Sequence, residues 1–284
     1  MSSLPISASE AAELIHTKKI VAFDLDGTLA ESKQSLSPEM GILISQLLQR
    51  TDVVIITGGT FSQIQKQCIP YLPKDLFENH IEMEDDDQTT SARLKLNSLY
   101  LLPTSGSQRY EYNIEQKLWL LTDSVPFPND QKEKVMNVLK EYEKICVTSG
   151  DLPLETYGSR IEERGTQITL SALGQDAPIE LKKVWDPDVQ KRHVIQKYLE
   201  NLLPDVDVHI GGSTSIDILP KGFTKATGLK RLISQKNIDI QDMVFVGDAV
   251  FPGGNDYSAF EAGIYTIPVK DPQDTKSLIQ HWVQ

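Results

Sequence analysis

A chain of 284 residues with 39% hydrophobic and 24% charged residues holds apolar material for one large or two modest cores and is too apolar to stay disordered. Its 28 Lys and Arg against 40 Asp and Glu leave a net charge of −12, which argues against a duplex DNA binder, since that role needs a basic face to neutralise phosphates. A small anionic substrate stays open, because a few clustered cations or a bound metal reverse the field locally.

The opening MSSLPISASEAAELIHTKK has no basic segment followed by a long apolar one, so no secretory signal is read there. Residues 19–24 (KIVAFD) read as a buried strand, and residues 37–50 as an amphipathic helix capped by Ser37 with Pro38 at its first position. Residues 53–56 (VVII) read as the next buried strand. Apolar strands alternating with a helix indicate a parallel sheet covered on both faces. The acidic stretch 82–92 (EMEDDDQTTSA) reads as a solvated loop, a metal site there being the lesser alternative.

From residue 109 to 219 the texture changes: strand-like segments at 109–121, 154–162 and 166–173 are interrupted by helical patterns at 129–144 and 188–203. Trp185-Asp186-Pro187-Asp188 reads as the start of the second helical pattern, with Asp186 or Asp188 as the expected cap. Beyond residue 220 the first style returns, with a helix over 225–235, a strand over 243–246, a loop over 247–254 and a last short strand near 264–269. The fold expected is α/β, a doubly wound, Rossmann-like parallel-sheet core of residues 1–108 and 220–284 with an inserted α+β domain of residues 109–219. Every apolar run is strand-sized, well short of the roughly 20 residues of a membrane span. Cys68 and Cys146 lie far apart and match no ligand spacing, so a reducing, cytoplasmic setting without a disulfide framework or structural zinc is expected.

Chemistry concentrates at the ends of the core strands, where open parallel sheets bind ligands. Asp24-Leu25-Asp26-Gly27-Thr28 puts two carboxylates one residue apart before a tight turn, a repulsive pair unless a cation or proton intervenes. Thr57-Gly58-Gly59-Thr60 offers backbone N–H groups and hydroxyls to an anion, although alone it reads equally as a turn. Lys221 and Lys225 flank the return to the core, and Gly247-Asp248 with Asn255-Asp256 brings further carboxylates to the same edge. A helix–loop–helix calcium loop is the rival for this last segment, but its alternating acidic ligands and terminal Glu are missing. The five histidines, His209 among them, show no metal or triad spacing and read as surface or packing residues.

Strand-DxDGT, strand-TGG, a later Lys and strand-GD…ND, in this order, resemble the haloacid dehalogenase superfamily of phosphotransferases. The insert resembles the α+β cap of its type IIB (Cof-like) branch. The spellings SIDILPKGFTK and GDAVFPGGND are most similar to eukaryotic-type phosphomannomutases and their phosphatase relatives. The resemblance implies Asp24 as nucleophile and Asp26 as general acid and base. It further implies Thr57 and Lys225 (preferred to Lys221) on the transferring phosphoryl group, with Gly58 and Gly59 beside them. Mg²⁺ would be the cofactor, held by Asp24, the Asp26 carbonyl and Asp248, with Asn255 and Asp256 behind these ligands or holding Lys225. An unperturbed Asp26 would be over 99% ionised at pH 7, and keeping its proton costs about 4 kcal/mol, so the role requires a raised pKa.

In the cap, the resemblance assigns Ser215 and Asp217 to sugar hydroxyls and Arg164 to a phosphate-gripping arginine cage. Where the family has further arginines this chain offers Lys33, Gln175 and Lys182, and neither Lys nor Gln reproduces a bidentate guanidinium. That weakened cage favours hydrolysis of a phosphorylated sugar or polyol. The alternative is a hexose-phosphate mutase using a bisphosphate, its cage rebuilt from Arg160, Lys182, Lys183 or Arg192. A sugar-phosphate binder without catalysis is the remote third reading. The partner expected is a small phosphorylated molecule, with neither nucleic acid nor membrane, the chain being a monomer or a cap-mediated homodimer.

Overall fold

The computed structural model describes residues 17–78 and 96–284, so the acidic stretch 82–92 lies outside the described residues. The described strands are, in chain order, β1 (Ile20–Asp24), β2 (Asp52–Ile56), β3 (Leu99–Leu102), β4 (Gln108–Asn113), β5 (Leu118–Ser124), β6 (Ile161–Glu163), β7 (Ile168–Ser171), β8 (Val206–Ile210), β9 (Ser215–Pro220), β10 (Met243–Gly247) and β11 (Tyr265–Pro268). Two compact units form, Met1–Asp123 with Thr224–Gln284, and Ser124–Phe223.

The first unit carries a seven-stranded sheet of order β11-β10-β1-β2-β3-β4-β5. Strands β11, β10, β1, β2 and β3 run parallel, and β4 is antiparallel to β3. Alternate residues of the central strands bury into opposite layers, which is why these segments are apolar throughout. Val21, Phe23, Val53 and Ile55 pack with Met40, Ile44 and Leu47 of helix Pro38–Leu48 and with Ile279 and Trp282 of helix Pro272–Val283. Ile20, Ala22, Val54, Ile56 and Phe245 pack with Leu229 and Leu232 of helix Lys225–Lys236. Helices on both faces make this the doubly wound α/β core expected from the sequence. The Ser37 side chain caps its helix, accepting from the Met40 N–H at 3.2 Å.

One segment falls elsewhere than expected. Residues 109–121, read as part of the insert, split into β4 and β5 and extend the large sheet, so the compact insert runs Ser124–Phe223 instead of 109–219. The reason is aromatic packing: Tyr110 stacks on Phe61 with ring centroids 3.7 Å apart, and Tyr112 meets Phe77 and Trp119 edge-on. An alternating strand reads the same whether it borders a core sheet or founds a new one.

The second unit is an antiparallel sheet of order β6-β7-β9-β8. Ile168, Leu170, Val208, Ile216 and Ile218 face Val135 and Leu139 of helix Asn129–Ser149 and Ile195 and Leu199 of helix Gln190–Leu202. Of the segment 154–162 read as a strand, only its end enters β6, and helix Ile179–Trp185 was not anticipated. Val189 holds the N-cap position, and the first-turn N–H groups are met from outside it: the Asp186 carboxylate accepts from Lys191 at 2.9 Å and Arg192 at 3.0 Å, and Asp188 Oδ1 from Gln190 at 3.4 Å. Among the described residues no helix is long and apolar enough to cross a membrane.

Candidate active site

At the end of β1 the chain turns tightly through Asp24-Leu25-Asp26-Gly27: the Leu25 carbonyl accepts from Leu29 and Ala30 at 3.0 Å each, and Gly27 N–H donates to the Ala30 carbonyl at 2.7 Å. Gly27 sits at φ +88°, and a Cβ there would stand 2.5 Å from Asp248 Oδ2. The glycine therefore serves both the turn and the close approach of the β10 loop. Thr28 Oγ1 donates to Asp248 Oδ1 at 3.3 Å, a contact that sequence reasoning did not single out.

Asp24 is only 4% exposed. Lys225, at the start of its helix and equally buried, places Nζ 2.6 Å from Asp24 Oδ1 and 2.6 Å from Asp256 Oδ1. The other Asp256 oxygen accepts from Ala249 N–H at 3.1 Å, so both its oxygens are engaged. Asp24, Asp248 and Asp256 offer carboxylate oxygens within 4.8 Å of one another. Burial raises the Asp24 pKa well above the usual carboxylate range; the Lys225 charge opposes the shift, and the Asp256 and Asp248 charges add to it. Burial and the Asp256 charge likewise raise Asp248. Burial also disfavours the Lys225 charge, but Asp24 and Asp256 overcome it and hold the ammonium protonated. Three carboxylates around one ammonium leave surplus negative charge, and an all-oxygen donor set of this kind fits a hard divalent cation.

The other sequence candidates separate clearly. The Asp26 side chain lies outside that carboxylate cluster and accepts from the backbone N–H of Lys33, which adopts φ +60°. Thr57 is buried and its hydroxyl accepts from Gly59 N–H at 3.0 Å. The turn after β3, also missed from sequence, braces Thr57-Gly58-Gly59: Thr104 N–H donates to the Gly59 carbonyl at 2.7 Å and Ser105 N–H to the Thr57 carbonyl at 2.8 Å. Lys221 is an exposed partner of Asp207 at 2.9 Å, in the other unit from Asp24. Asn255 is exposed while its neighbour Asp256 is fully buried.

Within the second unit, Arg164, Gln175 and Lys182 come together. Arg164 Nη2 lies 3.4 Å from Gln175 Oε1, and Lys182 Nζ donates to the Gln175 carbonyl at 2.7 Å. Glu162 engages the Arg164 guanidinium through Nε at 2.7 Å and Nη2 at 2.6 Å. Ser215 and Asp217 share the polar face of the small sheet. Ser215 Oγ lies 3.0 Å from Ser171 Oγ, and Asp217 Oδ1 accepts from Thr169 Oγ1 at 2.8 Å. Arg160 and Arg192 serve structure: Arg160 binds Glu143 and the Ala172, Pro153 and Glu155 carbonyls, and Arg192 binds Asp186 and the Gly211 and Gly212 carbonyls. Lys183 is exposed.

Residues 104–284 match the family model of the eukaryotic phosphomannomutases. The chain belongs to that family. It is 27% identical over 272 residues to a probable phosphomannomutase of Caenorhabditis elegans, covering 93% of this chain and 95% of the relative. It is 24% identical over 267 residues to a phosphomannomutase of Spinacia oleracea, covering 90% and 92%. Among solved structures it is similar in fold to the trehalose-6-phosphate phosphatase C-terminal domain of C. albicans, with TM-score 0.62 and 17% identity over 99% of this chain and 98% of that one. A similar likeness relates it to the IMP-nucleotidase of Plasmodium falciparum, with TM-score 0.64 and 18% identity over 96% of this chain and 68% of that one. The protein is thus a haloacid dehalogenase superfamily enzyme of phosphatase or mutase type.

Proposed function

We propose that this family member is a Mg²⁺-dependent phosphotransferase that works through a phosphorylated Asp24 and hydrolyses a phosphorylated sugar or polyol. The observation that carries the chemistry is the Asp24–Lys225–Asp256 bridge, 2.6 Å on each side, with Asp248 beside it. Asp24, Asp248 and the Asp26 main-chain carbonyl would hold Mg²⁺, which when bound shields the attacking carboxylate from the anionic ester. Asp24 then attacks phosphorus through a carboxylate oxygen, and the bond to the leaving alcohol breaks as Asp26 hands that oxygen its proton. In the second half Asp26 takes a proton from water, the water oxygen attacks the same phosphorus, and Asp24 departs as carboxylate with inorganic phosphate released. Lys225 and Thr57 offer donors to the transferring oxygens, Lys225 as a point charge that Asp256 keeps in place.

Hydrolysis is favoured over a mutase cycle by the state of the cap. A mutase must rebind a bisphosphate by its other end, which demands a strong second anion site. Here the Arg164 guanidinium is engaged by Glu162, its neighbour Gln175 is uncharged, and the Lys182 amine is turned onto a backbone carbonyl. The second reading, a hexose-phosphate mutase, draws support from membership of the phosphomannomutase family. One assay separates them: mannose 1-phosphate with Mg²⁺ and glucose 1,6-bisphosphate. Free phosphate as product supports the proposal; mannose 6-phosphate without phosphate release overturns it in favour of the mutase. Asp24→Asn should lower turnover roughly 10³-fold or more, and unchanged turnover would remove the nucleophile assignment.

A further inference from the structure

The small sheet of the second unit has one apolar face, packed on its helices, and one polar face. The residues of the polar face are set by register. Strand β9 pairs Asp217 with Thr169 of β7 on one side and with His209 of β8 on the other. Directly paired residues of antiparallel strands project from the same face, with Cβ atoms roughly 4.5–5.5 Å apart. His209 therefore stands beside Asp217, although no recognisable spacing along the chain pairs them.

The surroundings of this pair are otherwise committed. Gln167 Nε2 donates to Thr169 Oγ1 at 3.0 Å, and Thr169 donates in turn to Asp217 Oδ1 at 2.8 Å, which fixes the carboxylate. Gly211, two residues beyond His209 on the same face, is held close to the carboxylate: a Cβ there would stand 2.8 Å from Asp217 Oδ2 and 3.2 Å from Ser215 Cβ. His209 is the exception in this network. Its Nε2 is buried and, among the described residues, has no hydrogen-bond partner. Buried polar atoms are nearly always satisfied, and leaving one unsatisfied is costly, so such an atom on the polar face of the sheet, beside a carboxylate, is a place where a ligand can supply the missing bond.

We infer that His209 is a substrate-contacting, specificity-determining residue: with Asp217 it grips two adjacent hydroxyls of a polyhydroxy phosphomonoester. Asp217 accepts from one hydroxyl and the His209 imidazole binds its neighbour through Nε2. The class recognised is a phosphomonoester whose alcohol carries a vicinal diol, and a flat aromatic ester lacks what the pair binds. This inference rests on the sugar-phosphate reading above and deepens it.

The test uses the full-length protein with Mg²⁺, as wild type, His209→Ala and His209→Gln, the glutamine amide standing near the position of Nε2. Glucose 6-phosphate and mannose 6-phosphate are the polyhydroxy probes, and p-nitrophenyl phosphate is the hydroxyl-free one. His209→Ala is expected to raise KM for the hexose phosphates about tenfold with kcat nearly unchanged, the worth of one good hydrogen bond. His209→Gln should restore most of that loss, and the kinetics with p-nitrophenyl phosphate should be the same in all three proteins. An unchanged KM in His209→Ala, equal losses with both kinds of probe, or no recovery in His209→Gln overturns the inference. Calorimetric binding of the hexose phosphates to the Asp24→Asn protein, with and without His209→Ala, needs no turnover. A tenfold weakening there upholds His209 even if hydrolysis fails. Turnover of p-nitrophenyl phosphate without hexose-phosphate binding defeats His209 and leaves the phosphoryl chemistry standing.

Discussion

Lys225 sits 2.6 Å from each of two buried carboxylates, so beside the chemical role proposed for it its charge has a structural one. Replacing it by methionine leaves Asp24 and Asp256 buried and uncompensated, a change that typically costs about 3–5 kcal/mol. Urea unfolding of Lys225→Met should show a loss of that size together with lost turnover, and a stable but inactive variant would make the lysine purely catalytic. The raised pKa values of Asp24 and Asp248 carry a sign as well. Above the ordinary carboxylate pKa, near 4, the folded protein holds protons that the unfolded chain has released. The contribution of these groups is therefore fully present below that pH and is lost as pH rises through the raised values. Thermal unfolding in EDTA should accordingly weaken with rising pH from about 4 on this account. Added Mg²⁺ should reverse the trend, and Asp248→Asn should blunt both effects. A slope indifferent to Asp248→Asn would show that the carboxylate cluster is not its source.

Two glycines decide how an element reaches the site. Helix Lys225–Lys236 lies against the Thr104–Gly106 turn so closely that a Cβ on Gly228 would stand 2.7 Å from Gly106 Cα. Gly106 itself adopts φ +83°, which an L side chain rarely does. In an unobstructed helix, Gly→Ala stabilises by about 1 kcal/mol. Here Gly228→Ala should instead destabilise by roughly 1–3 kcal/mol, since the added methyl pushes the helix off the turn. Turnover should fall with stability, because the same helix carries Lys225 and the same turn braces Thr57 and Gly59. A rise in Tm for Gly228→Ala would show that the turn gives way without moving the helix.

On the mechanism proposed above, the whole molecule decides whether the phosphoryl group ends on water or on a second sugar hydroxyl. The second-unit residues proposed to meet a second phosphate are weakened for that role, Arg164 by its pairing with Glu162 and the neighbouring position by being Gln175. Glu162→Gln together with Gln175→Arg should release one guanidinium from its paired carboxylate and add another. With mannose 1-phosphate and glucose 1,6-bisphosphate, the ratio of mannose 6-phosphate to free phosphate should then rise about tenfold or more, since each charge-assisted bond is worth roughly 1.5–3 kcal/mol. A ratio unmoved by both changes would place the discrimination elsewhere in the protein.

Much of this was legible from residue order. Apolar strands read over 19–24, 53–56 and 243–246 announced a doubly covered parallel sheet, because a strand buried on both faces has no polar side to show. The pairs Asp24/Asp26 and Asp248/Asp256 marked strand ends where surplus charge collects. Pairing partners were not legible. Only folding brings Lys225 onto Asp24, 201 residues away, and lays His209 beside Asp217 across a β ladder. The same holds for residues 109–121: an alternating pattern declares a half-buried strand, but which sheet it joins depended on Tyr110 finding Phe61. Local chemistry is written in short spacings, whereas register and long-range burial are properties of surfaces that exist only once the chain has closed on itself.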